Sequence, residues 1–249
     1  MPPFHKKKGN KNMIFKSKTI EENTKGPVET DAMHLVSFVG LERSDIVFYL
    51  AKILQERNTT EGYRTVLLVD NSDSKDLFYI VNKKDEEEVT MKRITFQCDM
   101  AYDPEYFNQF AFIIVYHGLD VDKEILEQSD MVVCSADYNP NNYKILSGIL
   151  DGYTKDIQMI YRNWMNKKIK ENLIENEIGI PNEQVEMRSI IKASLQDQNA
   201  YIQLLHNGNQ RVNKSELSEL MIETLKYLVE KITGVQDDKT LNKMISKAK

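Results

Sequence analysis

Short apolar runs alternate with helical patterns along most of the chain, and this alternation limits the fold more than any other sequence feature. Five runs are typical of buried strands: MHLVSFV, RTVLLVD, FAFIIVY, DMVVCSA and DIQMIYR. VTMKRITFQCD predicts a further strand or a pair, and RSDIVFYLAKILQER carries apolar residues at helical spacing. Apolar strands joined by helices predict an α/β fold, a mainly parallel twisted sheet with helices on both faces, doubly wound.

The chain divides into three parts of different character. Residues 1–30 are polar and lysine-rich without periodicity, which predicts a disordered basic tail. Residues 31–234 carry the alternating pattern, and their length suits one α/β domain with a sizeable core. Residues 235–249 form a separate basic segment.

Composition excludes several classes of protein. The formal net charge of -5 argues against a protein that coats nucleic acid through its whole surface. Cys98 and Cys134 lie in apolar runs without disulfide or metal-site spacing, which indicates a reducing cytoplasm. The longest strongly apolar run, residues 110–116, is too short to span a bilayer, so any membrane contact is expected to be peripheral, at the inner face.

The first strand-to-helix turn is where folds of this class bind phosphate. Backbone N–H groups and the helix N-terminus favour an anion there, while a working P-loop also needs glycines, a lysine for the outer phosphates and a hydroxyl for magnesium. This turn reads Phe38-Val39-Gly40-Leu41-Glu42-Arg43-Ser44-Asp45. Only Gly40 retains the glycine character.

The same turn resembles the deviant P-loop K-G-G-x-G-K-T-T of the MinD/ParA family, which belongs to the SIMIBI class of P-loop NTPases. Phe38 stands at the signature lysine, and Val39 and Glu42 replace glycines. Arg43 stands where the phosphate-binding lysine belongs, and Ser44 where the magnesium-binding threonine belongs. The resemblance is one of position and length, while the residues themselves mostly depart.

Four later segments resemble the same family in the same order. RTVLLVDNSDSKDLF places Asp70 at the family's first aspartate, while FAFIIVYHGL carries Tyr116 in place of the Walker-B aspartate. SDMVVCSADYNPNNYK resembles the next strand and helix start. IYRNWMNKKIKENLIENEIGIP places Arg162 or Asn163 near the base-recognising asparagine.

The resemblance implies a degenerate nucleotide pocket built from Gly40, Arg43, Ser44, Asp70 and Asn163. The simpler interpretation is also open: helix-start chemistry for Arg43, Ser44 and Asp45, a strand-end turn for Asp70 and a polar loop for Asn163. We expect no catalytic residue, no metal ligands and no resident cofactor, with ATP a weak ligand at most. Glu42 would repel phosphate, at roughly 4 kcal/mol for charges ~4 Å apart at an effective dielectric near 20.

The C-terminal segment predicts a short basic amphipathic helix. Leu241, Met244 and Ile245 fall on one helical face, and Lys243 and Lys247 lie elsewhere on the helix. Such a helix can lie in an anionic membrane surface or dock on a protein, and a frayed end is the remaining alternative. We therefore expect these five residues to form a membrane or partner contact.

The function that the resemblance implies is that of a non-catalytic MinD/ParA-like pseudo-ATPase. Family members with degraded sites include the TadZ/CpaE-type localisation proteins, which suggests a localisation or scaffold component of a larger bacterial assembly of pilus, secretion or conjugation type. The alternative is a divergent ATPase or partitioning protein that switches DNA or membrane binding. Protein partners are expected first, with an anionic membrane surface, DNA and a homodimer as alternatives.

Overall fold

A computed structural model describes residues 34–40, 44–57, 64–81, 88–164, 169–207 and 214–248. The basic tail expected at residues 1–30 lies outside these ranges. The strands are β1 Leu35–Gly40, β2 Arg64–Asp70, β3 Glu88–Met91, β4 Ile94–Cys98, β5 Phe110–Gly118, β6 Met131–Ala136, β7 Ile157–Trp164 and β8 Val185–Lys192. The helices are α1 Asp45–Leu54, α2 Asp76–Ile80, α3 Pro104–Phe107, α4 Lys123–Gln128, α5 Pro140–Leu150, α6 Glu171–Ile178, α7 Leu195–Asn207, α8 Glu219–Thr233 and α9 Asp238–Lys247.

The described strands form one eight-stranded sheet in the order β3-β4-β2-β5-β1-β6-β7-β8. The five strands predicted from apolar runs are its adjacent central members and are all parallel, which confirms the expected sheet. VTMKRITFQCD forms the antiparallel pair β3 and β4. The edge strand β8 was not predicted, because its sequence VEMRSIIK mixes charged and apolar residues and only part of it is buried.

Both faces of the sheet are covered, as the strand composition predicts. Successive residues of β5 enter different apolar clusters: Phe112 and Ile114 pack with α1 and α8, whereas Ile113 and Val115 pack on the side of α3 and α4. A third cluster holds β6 and β7 against α5 and α6. The doubly wound α/β fold is therefore confirmed.

Close packing at the end of β1 requires a glycine. Gly40 has a φ of +98°, and a Cβ placed on it would lie 2.1 Å from the backbone oxygen of Ser135 in β6. A side chain at this position would meet both backbone strain and a clash with main chain. The one glycine that the turn retains is thus needed by the fold itself.

The C-terminal helix α9 is present as predicted, but its apolar face is buried in the domain, which corrects the expected membrane or partner contact. α9 begins at Asp237, whose carboxylate accepts from the Thr240 backbone N–H at 2.8 Å. The side chains of Leu241, Met244 and Ile245 are buried in the same core cluster as α1 and α8. These three side chains cannot also contact a membrane or a partner.

The cause of the error at α9 is the turn that precedes it. Gly234 ends α8 in the left-handed conformation, and α9 packs back against α1 and α8. The segment 235–249 is therefore packed on the domain as far as residue 248. Lys243 and Lys247 are the members of the expected contact set that remain exposed.

Candidate functional site

The carboxyl ends of the parallel strands bring a buried ion pair to the first strand-to-helix turn. Asp45 is the first residue of α1, and Arg162 lies near the end of β7. Arg162 Nη2 donates to Asp45 Oδ2 at 3.2 Å and to Oδ1 at 3.3 Å. The two residues are 1% and 3% exposed, so two opposite charges are held together away from water.

Little space remains beside this pair. The adjoining cavity is about 20 Å³, and its lining among the described residues comprises Phe38, Val39, Gly40, Ile46, Val47, Tyr116, Ser135, Ile160 and Arg162. One water molecule needs roughly 10–15 Å³ on this measure. The cavity beside the pair therefore has room for about one water molecule.

Tyr116 completes the apolar side of the cavity. It pairs in register with Phe38 across β5 and β1, and both rings belong to the main apolar cluster. Burial raises the pKa of the Tyr116 hydroxyl, and the nearby Asp76 and Asp70 carboxylates raise it further. The side chain in the Walker-B place is therefore a neutral phenol packed in the core.

Asp70 lies at the second strand-to-helix turn and is bound by its own loop. Its Oδ1 accepts from the Ser72 backbone N–H at 3.1 Å and from the Ser72 hydroxyl at 2.5 Å, and its Oδ2 accepts from the Leu77 N–H at 2.9 Å. Burial raises the pKa of Asp70 above its usual value, and these hydrogen bonds oppose that shift. Lys75 donates to the Asp70 backbone oxygen and pairs with Asp99.

The other expected pocket residues are placed separately. Ser44 is buried, and its backbone oxygen accepts from the Phe48 N–H at 2.8 Å in the first turn of α1. Asn163 is partly buried with a φ of +55°, directly after Arg162. Arg43 lies outside the described residues. The structure thus brings Gly40 to the same cavity as Arg162, whereas Asp70 faces its own loop.

The pairing of Asp45 with Arg162 was missed from the sequence. The sequence predicts a helix start at Asp45, and the resemblance places Arg162 or Asn163 near the base-recognising position. The available signal was an arginine inside the otherwise apolar strand DIQMIYR, which needs a buried acceptor. Its partner is 117 residues away, so the pairing becomes visible only once the sheet order is known.

A second buried polar group lies on the other face of β5. Ser129 donates its hydroxyl to the Ile125 oxygen at 2.8 Å, and Ser37 Oγ lies 2.7 Å from Ser129 Oγ. Because the Ser129 hydrogen is used, Ser37 donates to Ser129 and accepts from His117 Nε2 at 3.1 Å. His117 Nδ1 is buried without a hydrogen-bond partner among the described residues. Burial lowers the pKa of His117 to about 4.

A magnesium nucleotide, which the resemblance implies, needs oxygen ligands that can hold the metal ion. Within the described ranges, no group of three or more His, Cys, Asp or Glu residues is arranged to hold a metal ion. Tyr116 stands in the Walker-B place, and the Asp45 carboxylate is paired with Arg162. Separately, none of the described helices is long and apolar enough to cross a bilayer.

Comparison with solved structures shows what this fold is similar to. A ParA family ATPase from Chlorobium tepidum aligns with a TM-score of 0.53 at 19% identity, over 80% of this chain and 100% of that one. A chain of the MinC:MinD cell division complex from Aquifex aeolicus aligns at 0.51 and 14% identity, over 78% and 95%. A protein described as a plasmid partition protein, from Borrelia burgdorferi with AMPPNP bound, aligns at 0.50 and 14% identity, over 79% and 99%.

No protein-family model and no curated protein matches the sequence. At these identities the structural similarity establishes the fold, and the fold is the α/β fold of the MinD and ParA ATPases.

Proposed function

We propose that the protein is a non-catalytic MinD/ParA-like pseudo-ATPase that acts as a localisation or scaffold component of a larger bacterial assembly, of pilus, secretion or conjugation type. The observation that supports this most is the buried pair between Asp45 and Arg162 beside the retained Gly40. The pair occupies the place where the related fold presents its helix N-terminus to phosphate.

Space and charge both disfavour a nucleotide at this turn. Ligand pockets are commonly several hundred Å³, compared with the cavity of about 20 Å³ here. A phosphate that entered between Asp45 and Arg162 would separate the pair, at a cost of roughly 3–5 kcal/mol for a buried pair that loses one partner. The carboxylate of Asp45 would also repel the phosphate charge.

Hydrolysis would in addition lack the Walker-B carboxylate that supports magnesium. Phosphoryl transfer depends on positioning and charge neutralisation by metal ions and cationic side chains. Tyr116 offers a neutral hydroxyl with a raised pKa where the related ATPases keep a carboxylate. Asp70, the other acid of the resemblance, has both oxygens engaged by its own loop.

A protein partner is supported by exposed apolar side chains on the helices near this end of the sheet. Leu195 and Ile202 of α7 are 78% and 52% exposed, and Tyr79 of the neighbouring α2 is 45% exposed. The MinD relative occurs in a complex with MinC, which is a precedent for a protein partner in this fold. The exposed Lys243 and Lys247 keep a peripheral membrane contact as an alternative, and DNA and a homodimer are further alternatives.

Thermal unfolding with and without magnesium and AMPPNP tests the proposal. We expect no change in Tm at millimolar nucleotide, whereas a ligand at 100 times its Kd would add about 2.7 kcal/mol. The Borrelia protein with AMPPNP serves as the positive control. A clear rise in Tm that disappears in Arg43→Ala would contradict the proposal and favour the divergent nucleotide-switched partitioning protein.

The partner side of the proposal needs a separate experiment. Affinity capture from the host with the full chain is compared with capture by Leu195→Asp/Ile202→Asp, which adds charge to an exposed surface without touching the core. We expect components of one assembly to be lost from the variant. Recovery of DNA or of the chain alone would instead support the DNA or homodimer alternative.

A further inference from the structure

The first turn of α1 combines two features that attract an anion. α1 is a ten-residue helix, so its first N–H groups have no acceptor within the helix and its N-terminus carries partial positive charge. Arg162 lines the cavity at this end and is 3% exposed. Its Nε is buried and has no hydrogen-bond partner within the described part of the chain. A buried N–H group without an acceptor indicates that Arg162 can still bind a hydrogen-bond acceptor.

The geometry of the ion pair explains the unused donor. Both Asp45 oxygens are approached by the same nitrogen, Nη2, at 3.2 and 3.3 Å. A carboxylate in the most favourable arrangement accepts two parallel bonds from two different nitrogens of the guanidinium, at about 2.7–2.9 Å. Asp45 is the first residue of α1, and from that position its carboxylate does not form the two parallel bonds.

We propose that the α1–β7 junction is a small-oxyanion site whose occupant is the chain's own Asp45 carboxylate. The Asp45 carboxylate is then an internal ligand that keeps the site filled. This inference rests on the proposed function, in which the protein acts without a nucleotide. Once the Asp45 side chain is removed, the space it leaves together with the cavity of about 20 Å³ accommodates a single carboxylate group. Formate therefore fits, bound by Arg162 and the helix N-terminus, whereas a nucleotide does not.

Rescue of Asp45→Ala by formate tests this inference. The variant leaves Arg162 buried without its anion, and we expect its Tm to fall by on the order of 10 °C. Sodium formate at 100 mM, compared with sodium chloride at equal ionic strength, should then raise the Tm by ~3–5 °C if the Kd is near 10 mM. The double variant Asp45→Ala/Arg162→Met should show no such rise, because the cation that binds formate is gone.

Asp45→Asn is the volume-matched control. Its side chain still fills the site, so formate should change its Tm no more than that of the unmodified chain. If Asp45→Ala is unfolded in chloride, its far-ultraviolet circular dichroism is followed as formate is added, and recovery of the helical signal is the expected result. No recovery, or an equal gain in the double variant, would overturn the oxyanion site.

The result is distinguishable from a failure of the proposed function. Formate rescue concerns Asp45→Ala, whereas the nucleotide test concerns the unmodified chain. A chain stabilised by AMPPNP would overturn the proposed function even if formate rescued the variant. A chain indifferent to AMPPNP whose variant ignores formate would overturn the oxyanion site alone.

Discussion

Two strand-to-helix junctions lie on either side of β5 in the sheet, and each holds a buried aspartate. At the β1–α1 junction Asp45 pairs with Arg162 of a distant strand, whereas at the β2–α2 junction Asp70 accepts hydrogen bonds from Ser72 and Leu77 of its own loop. The same residue type therefore joins remote elements in one place and shapes a local turn in the other. This difference predicts different responses to removal of the same charge.

The isosteric substitution Asp→Asn separates the two junctions most strongly. Asp45→Asn leaves the buried Arg162 uncompensated and should lower the free energy of unfolding by roughly 3–5 kcal/mol. Asp70→Asn keeps one acceptor and leaves no buried cation, so a loss of about 1 kcal/mol is expected. The raised pKa of Asp70 is consistent with a site that tolerates a neutral side chain. Urea unfolding at neutral pH measures both, and equal losses would contradict the comparison.

Glycine substitutions compare the backbone at the same two junctions. In Gly40→Ala the new Cβ would lie 2.1 Å from a backbone oxygen, and we expect a loss of about 3 kcal/mol. Gly118 faces the second junction, where the added Cβ would lie 3.2 Å from Ser72 Cβ at a φ of +63°, and a loss of about 1 kcal/mol is expected. Gly148 in α5 meets nothing within 4 Å, so Gly148→Ala should instead stabilise by ~0.5–1 kcal/mol. Chemical unfolding of the three variants gives the order, and a Gly118→Ala loss as large as that of Gly40→Ala would remove the distinction.

The sequence predicted the central sheet because its strands are continuous in apolar residues. It predicted α9 from the spacing of Leu241, Met244 and Ile245, but spacing shows only that one helical face is apolar and not what covers that face. The contact between Asp45 and Arg162 depends on the positions of α1 and β7, which follow from sheet order rather than from local sequence. The fold could therefore be predicted from the sequence, whereas the pairing of charges at the site could not.

His117 lies in β5, the strand between the two junctions, and makes the free energy of unfolding depend on pH. Its folded pKa of about 4 lies below the usual 6.5, so the unfolded chain binds more protons between these values and stability rises with pH across that window. Through this one group, the free energy of unfolding should fall by about 2 kcal/mol when the pH is lowered from about 7 to about 5. His117→Gln should remove that part of the pH dependence, while His206→Gln on the exposed side of α7 should leave it unchanged. Urea unfolding at the two pH values measures the difference, and parallel curves for His117→Gln and the unmodified chain would contradict it.

The smallest expected effect concerns a tie between α7 and the second junction. The Tyr201 hydroxyl donates to Asp76 Oδ2 at 3.1 Å, which joins α7 to the first turn of α2. Burial raises the pKa of Tyr201, and the Asp76 carboxylate raises it further, so the hydroxyl stays protonated as a donor at neutral pH. Tyr201→Phe removes the hydroxyl that bonds Asp76 and should cost about 1 kcal/mol. A double-mutant cycle with Asp76→Asn should give a coupling of roughly 0.5–1 kcal/mol, because the two side chains are in contact. The same cycle with Asp45→Asn should give less, because the Asp45 carboxylate is paired with Arg162. A larger coupling to Asp45 than to Asp76 would mean that α7 supports the first junction, and the two junctions would then act as one unit.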